Sequence, residues 1–143
     1  MNRVVIDASV GAKWCLPLSR EDLVQEAADL LALFHSGDLE FVVPDLFWLE
    51  LANVLWKATA RQEIDANWAD RAFSKVWDFD IATFPCSQFV PRALQLAISH
   101  RRTVYDSVYV ALAFACDAEL VTADERLANA LSARFPVKWL GAF

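Results

Sequence analysis

Five short apolar runs, at residues 4–6, 41–43, 81–84, 119–122 and 137–140, are separated by stretches long enough for one or more helices. Runs this short and this apolar read as strands buried on both faces, with helices returning the chain between them. That alternation leaves little choice: βαβ units, a mostly parallel sheet, and helices over both of its faces. Right-handed crossovers narrow the expectation to an α/β fold, a three-layer α/β/α sandwich. At 143 residues, 57% of them hydrophobic, the chain has core enough for one domain spanning residues 1–143.

Helical signals fill the intervals. Ser19 before Arg20, Glu21 and Asp22 reads as a helix start, with Leu23, Ala27, Leu30, Leu31 and Phe34 on the apolar side and Gly37 as the stop. Pro44 reads as the opening of a helix that runs to about Arg61. Further helices are expected over 64–79, 90–101, 104–117 and 124–133. The longest apolar stretch, 108–116, is too short to span a bilayer, and the opening residues lack a secretory pattern. A cytoplasmic protein without membrane association is therefore expected.

The chemistry concentrates in carboxylates. Ligands of open parallel sheets bind beyond the carboxyl ends of the strands. Asp7 directly follows the first strand, and Asp124 follows the strand at 119–122. Ser9 stands close enough to Asp7 to orient it, and Thr122 shares a side with Asp124 while the chain is extended. Glu50 is lodged among apolar helix residues, with Asn53, Lys57 and Arg61 on the same polar stripe. Asp106 heads an almost entirely apolar helix. Two carboxylates about 4 Å apart repel by roughly 4 kcal/mol at an effective dielectric near 20. Four together must take up protons or bind a divalent cation.

Each acid also has an ordinary reading. Asp7 or Ser9 can cap a helix, Thr103 and Asp106 have capping-box spacing, and Thr122 with Glu125, or Asp124 alone, can start the last helix. Glu50 can pair with Lys57 or Arg61. Two acids at strand ends and two in apolar helices nevertheless form a costly pattern for capping alone. Cys15, Cys86 and Cys116 form no C-x-x-C pair, and His35 and His100 lack partners at ligand spacing. Any metal should therefore be held by oxygen, as Mg2+ is, with Mn2+ also suitable.

Acidic residues outnumber Lys plus Arg by 19 to 13, for a net charge of −6, whereas nucleic-acid binders usually carry a basic surface. Phosphate contacts would have to come from local cations, with Lys13, Lys57, Arg61, Arg101 and Arg102 as candidates. Arg101 and Arg102 also suit a solvated helix end. Trp48 and Trp56 lie roughly on one helix face, as core or as a partner-binding patch.

Four segments carry a resemblance in order along nearly the whole chain. They are Val5-Ile6-Asp7-Ala8-Ser9-Val10; Pro44 with Glu50 and Asn53; Tyr105-Asp106-Ser107 with Tyr109 and Ala111-Leu112-Ala113; and Leu120-Val121-Thr122 with Asp124 and Leu127. Together they resemble the PIN domain, at the length of VapC toxins. The resemblance implies a magnesium-dependent endoribonuclease, the toxin of a toxin–antitoxin pair. Asp7, Asp106 and Asp124 would ligate the metal, and Glu50 would ligate it or activate the attacking water. Ser9, Asn53 and Thr122 would support them. A homodimer, an RNA substrate and a VapB-like antitoxin acting on the acidic groove are the implied partners. Ser107 departs from the family, where Ala is commoner, and both residues are small. A PIN nuclease of RNA processing and a non-catalytic PIN-like binding domain are the alternatives. A haloacid-dehalogenase-type enzyme would want a second Asp where Ser9 stands, and a response-regulator receiver would want paired acids at Asp7.

Overall fold

The computed structural model describes residues 2–143. Five strands, β1 (Asn2–Ile6), β2 (Leu39–Pro44), β3 (Ala82–Phe84), β4 (Glu119–Thr122) and β5 (Val137–Trp139), form one sheet in the order β3-β2-β1-β4-β5. Every pairing is parallel. Seven helices connect them: α1 (Ala8–Cys15), α2 (Val24–Ser36), α3 (Leu46–Ala60), α4 (Ala66–Trp77), α5 (Val90–His100), α6 (Val104–Ala115) and α7 (Glu125–Leu131). The expected three-layer α/β/α sandwich is the fold observed.

Strand order explains the layers. The chain steps from β1 to β2 to β3 in one direction, then crosses back to β4 and β5 in the other. Right-handed crossovers place helices from the two halves on opposite faces. The packing agrees: α1 contacts α2, α3 and α4, while α5 packs on α6 and α6 covers β1, β2 and β4. The direction reverses between β1 and β4, the place where such sheets open a crevice at their carboxyl edge. Val5, Ile6, Phe41, Val42, Val43, Leu120 and Val121 are wholly buried, as strands covered on both faces require.

Some boundaries differ from the sequence reading. Helix α1 was not among the expected helices. It follows β1 after a single residue and is held by its neighbours: Trp68 Nε1 donates to the Cys15 carbonyl at 2.8 Å, and Trp14 Nε1 donates to the Ala27 carbonyl at 2.9 Å. The stretch 20–22 does not begin α2, which starts only after Leu23 takes a left-handed conformation at φ 56°. Pro44 ends β2 and does not open α3. Asp65 caps α4, so that helix begins at Ala66 and not at Ile64. Among the described residues, no helix is long and apolar enough to cross a membrane.

Helix α1 lies close against α3 at Gly11, where a Cβ would stand 3.0 Å from Phe47 Cζ and 3.3 Å from Leu51 Cδ1. Both neighbours are fully buried and cannot retreat into solvent. Gly11→Val should therefore overpack the α1–α3 contact and lower stability by about 1–3 kcal/mol, read from urea unfolding. An unchanged urea midpoint would show that this contact yields freely.

Candidate active site

The four acids stand on four elements that meet at the carboxyl edge of the sheet. Asp7 and Asp124 follow β1 and β4, the strands that flank the reversal. Asp106 sits in the first turn of α6, and Glu50 is on α3. The ordinary capping readings hold as well. Asp7 caps α1 by accepting from the Ser9 amide at 3.1 Å, and Asp124 caps α7 by accepting from the amides of Arg126 and Leu127 at 3.0 and 3.2 Å. Thr103 caps α6, accepting from the Asp106 amide at 3.0 Å. Three acids are thus fixed at helix N-termini, where the macrodipole favours negative charge.

Asp7 is the most enclosed, at 8% exposure. Its Oδ1 accepts from the Ser9 hydroxyl at 2.5 Å. Ser9 Oγ in turn accepts from the Ala123 amide at 2.9 Å and lies 3.3 Å from Thr122 Oγ1, which accepts from the Asp124 amide at 3.0 Å. The chain at the end of β1 is thereby tied to the chain at the end of β4. Ser9 and Thr122 are the hydroxyls that make this tie. Burial nevertheless dominates, and the Asp7 carboxyl is pushed up to about 6 despite the Ser9 and Thr122 hydroxyls that pull it down.

The remaining acids sense one another. Burial raises the pKa of Glu50, the Tyr109 hydroxyl opposes this, and the charge of Asp106 raises it further. Burial likewise raises Asp106, Arg102 pulls it down, and the charge of Asp124 pushes it up. Tyr109 lies among them, buried, donating to Glu50 Oε1 at 2.5 Å. Its place here was not foreseen, since its partner lies on a helix far away in the chain. Glu50 accordingly pairs with Tyr109, and no ion pair joins it to Lys57 or Arg61 among the described residues.

The four acids do not form a closed cage. Among the described residues, no three Asp, Glu, His or Cys side chains are grouped closely enough to hold a metal ion as they stand. The reason lies in the anchors: Asp124 Oδ1 faces its own helix, Glu50 holds Tyr109, and Asp106 leans toward Arg102 Nη2 at 3.7 Å. The donors are nonetheless all oxygen, and three of the carboxyls carry pKa values raised by burial. That set suits a hard divalent cation.

Other expected contributors divide. Asn53 is exposed on α3 and makes no side-chain hydrogen bond among the described residues, so nothing here ties it to the acids. Lys13 does not match the expected free cation. Its Nζ pairs with Asp22 at 2.6 Å and Glu21 at 3.2 Å, and its side chain is only 10% exposed. The acids read as the first turn of α2 are instead its counter-ions. Lys57, Arg61 and Arg101 are exposed, whereas Arg102 is partly buried against Asp106. Trp48 packs edge-on against Phe47 and Trp77, while Trp56 is 65% exposed. Ser107 is buried and donates to the Thr103 carbonyl. His35 packs on Phe79 and His100 on Phe135.

Topology and the placement of the acids together define a doubly wound α/β domain with carboxylates at its point of strand reversal. Residues 4–130 match the PIN domain family. Ribonuclease VapC3 of Pyrobaculum aerophilum is 30% identical over 129 residues, covering 89% of this chain and 93% of that protein. Among solved structures, Mycobacterium tuberculosis VapC20, a Sarcin-Ricin loop cleaving toxin, matches with a TM-score of 0.66 at 13% identity, covering 92% of this chain and 95% of that one. VapBC2 from Rickettsia felis, bound to a DNA fragment from its promoter, matches with a TM-score of 0.64 at 9% identity, covering 96% and 98%. The chain belongs to the PIN domain family.

The raised carboxyl of Asp7 has a consequence for stability. The folded protein binds its proton more tightly than the unfolded chain, whose value is 3.8 against about 6 when folded. Stability contributed by this group is present below about pH 4 and lost as pH rises through 6. Without divalent ions, Asp7→Asn should therefore be more stable than the parent at pH 7.5, by up to about 3 kcal/mol, and should lose that advantage at pH 4. Thermal melts at both pH values check this, and a destabilised variant at pH 7.5 would contradict it.

Proposed function

We propose that this protein is a divalent-metal-dependent endoribonuclease, the toxin of a VapBC-type pair. The observation that carries the reading is the position of Asp7, Glu50, Asp106 and Asp124. They lie on four elements at one sheet edge, with a buried acid held in place although burial disfavours its charge. Kinship with a VapC ribonuclease supports the choice of RNA as substrate.

Asp7, Asp106 and Asp124 would hold Mg2+ or Mn2+, with small side-chain rotations releasing Asp124 and Asp106 from their present partners. Bound there, the ion would neutralise charge on a phosphodiester and offer open positions to water and phosphate oxygens. Ser9 and Thr122 keep Asp7 aimed into the pocket. Glu50 lies where it can join the ligands or take a proton from the attacking water, and its raised pKa suits the second task. Lys57 and Arg61 continue along α3 from Glu50 as contacts for the RNA backbone, and Arg101 is a further exposed cation.

A VapB-like antitoxin is the proposed partner, along with a second copy of the chain as a homodimer in the cytoplasm. The acidic pocket invites a guanidinium from a partner. Between α3 and α4 lies an open groove of about 650 Å³ lined by Ala52, Leu55, Trp56, Ala69 and Phe73, and apolar enough to seat a partner helix.

The test is incubation of the purified protein with a mixed RNA pool, with Mg2+, with Mn2+, or with EDTA. Cleavage is expected only with a divalent ion, and Asp106→Asn should reduce it at least 100-fold, on the order expected for loss of a principal electrostatic group. Cleavage that persists in EDTA, or at full rate in Asp106→Asn, would refute the assignment.

A further inference from the structure

Tyr109 is 3% exposed, yet its hydroxyl reaches Glu50, one of the four acids. Its ring belongs to the apolar core between the sheet and α6, where a phenylalanine ring would pack equally well. The hydroxyl is therefore not needed to fill space. A buried phenol must find a partner, and this one donates to Glu50 Oε1 at 2.5 Å, joining α6 to α3. Burial first, then the negative charge of Glu50 and, more weakly, that of Asp7 keep the hydroxyl protonated far above its ordinary range.

A phenol has one proton to give. Here it goes to one oxygen of Glu50, while Asp7 depends on Ser9. Among the described residues, Glu50 Oε2 has no hydrogen-bond partner. A neutral group thus restrains Glu50 at one oxygen.

We propose that Tyr109 is a positioning residue for this site: its hydroxyl fixes Glu50 through Oε1, so that only Oε2 faces substrate and ion. Glu50 then works through one oxygen and does not chelate with two. This follows only if the nuclease reading holds, and it chooses between the two tasks left open for Glu50. A carboxylate with one oxygen occupied cannot close a bidentate metal cage but can hold and deprotonate a water through the other, and this is the task assigned to Oε2. Ligation of the ion through that single oxygen is the alternative that Mn2+ affinity distinguishes.

The test is a double-mutant cycle on the full chain with Tyr109→Phe, Glu50→Ala and both together. Four quantities are read: the thermal midpoint, the single-turnover rate and the KM on an RNA oligonucleotide with Mg2+, and Mn2+ affinity from the electron paramagnetic resonance of free ion. Tyr109→Phe should melt within a few degrees of the parent, cut about 10- to 100-fold more slowly, and keep KM within about twofold. Its Mn2+ affinity should change by less than about threefold, because an oxygen that holds water contributes little to direct ligation. In the Glu50→Ala background, Tyr109→Phe should cost nothing more. A parent-like cleavage rate in Tyr109→Phe, or an undiminished loss in the Glu50→Ala background, would overturn the positioning role. A loss of Mn2+ affinity by tenfold or more would overturn the water-holding role, since Glu50 would then ligate the ion through Oε2. A parent protein that neither binds Mn2+ nor cuts RNA would instead bring down the nuclease reading beneath it.

Discussion

A carboxylate removed from water at the junction of β1 and β4 governs the arrangement around it. The ladder between these strands ends with Ile6 opposite Val121. Beyond that point, Asp7, Ser9, Thr122 and Ala123 continue the join through side-chain oxygens and backbone amides. A hydroxyl network replaces the sheet where the sheet stops. It fixes the crevice at the strand reversal, and it depends on α1 leaving β1 at once, since Ser9 is the second residue of that helix. The indole contacts that hold α1 against α2 and α4 therefore also hold Ser9 at Asp7.

Charge repulsion in the pocket is softened but not cancelled. Helix N-termini stand at Asp7, Asp106 and Asp124. Each such end is worth about 0.3–1 kcal/mol to a nearby anion. A single carboxylate pair at about 4 Å costs roughly 4 kcal/mol at an effective dielectric near 20. Capping cannot balance a site of several acids, and burial, with a neighbouring acid adding to it at Glu50 and at Asp106, makes three of the carboxyls hold protons more tightly than usual. Capping and the proposed metal binding would then be two uses of the same residues. The caps fix where the backbone presents each acid, and the uncompensated charge is what a divalent ion would neutralise.

How much of this was legible follows from the range of each interaction. Strands buried on both faces show as unbroken apolar runs, and an acid at a strand end needs only local sequence to be noticed, so the sheet and the positions of Asp7 and Asp124 at its edge were readable. Helix α1 was not, because Val10 and Gly11 weaken its local propensity and its support comes from Trp68, 53 residues beyond Cys15. Lys13 looked free because Glu21 and Asp22 have the look of first-turn acids, and only the loop conformation turns them back toward it. Tyr109 showed as a motif residue without a task, since nothing local connects it to Glu50. Periodicity put Asn53 on the stripe of Glu50, but sharing a stripe does not supply a contact.

The net charge of −6 also finds a physical place. Lys13 is committed to Glu21 and Asp22, Arg3 to Glu40, and Arg102 leans on Asp106. The pocket thus already attracts a guanidinium from its own chain. That contact is loose, at 3.7 Å, and Arg102 Nε is buried without a hydrogen-bond partner. A divalent ion at the same carboxylate carries twice the charge in a smaller volume and would displace so weak a holder. An arginine delivered by a protein partner would bring a guanidinium with room to pair two-pronged, and so compete where Arg102 does not. On the proposed function, one set of acids would be switched on by a divalent cation and off by a competing guanidinium.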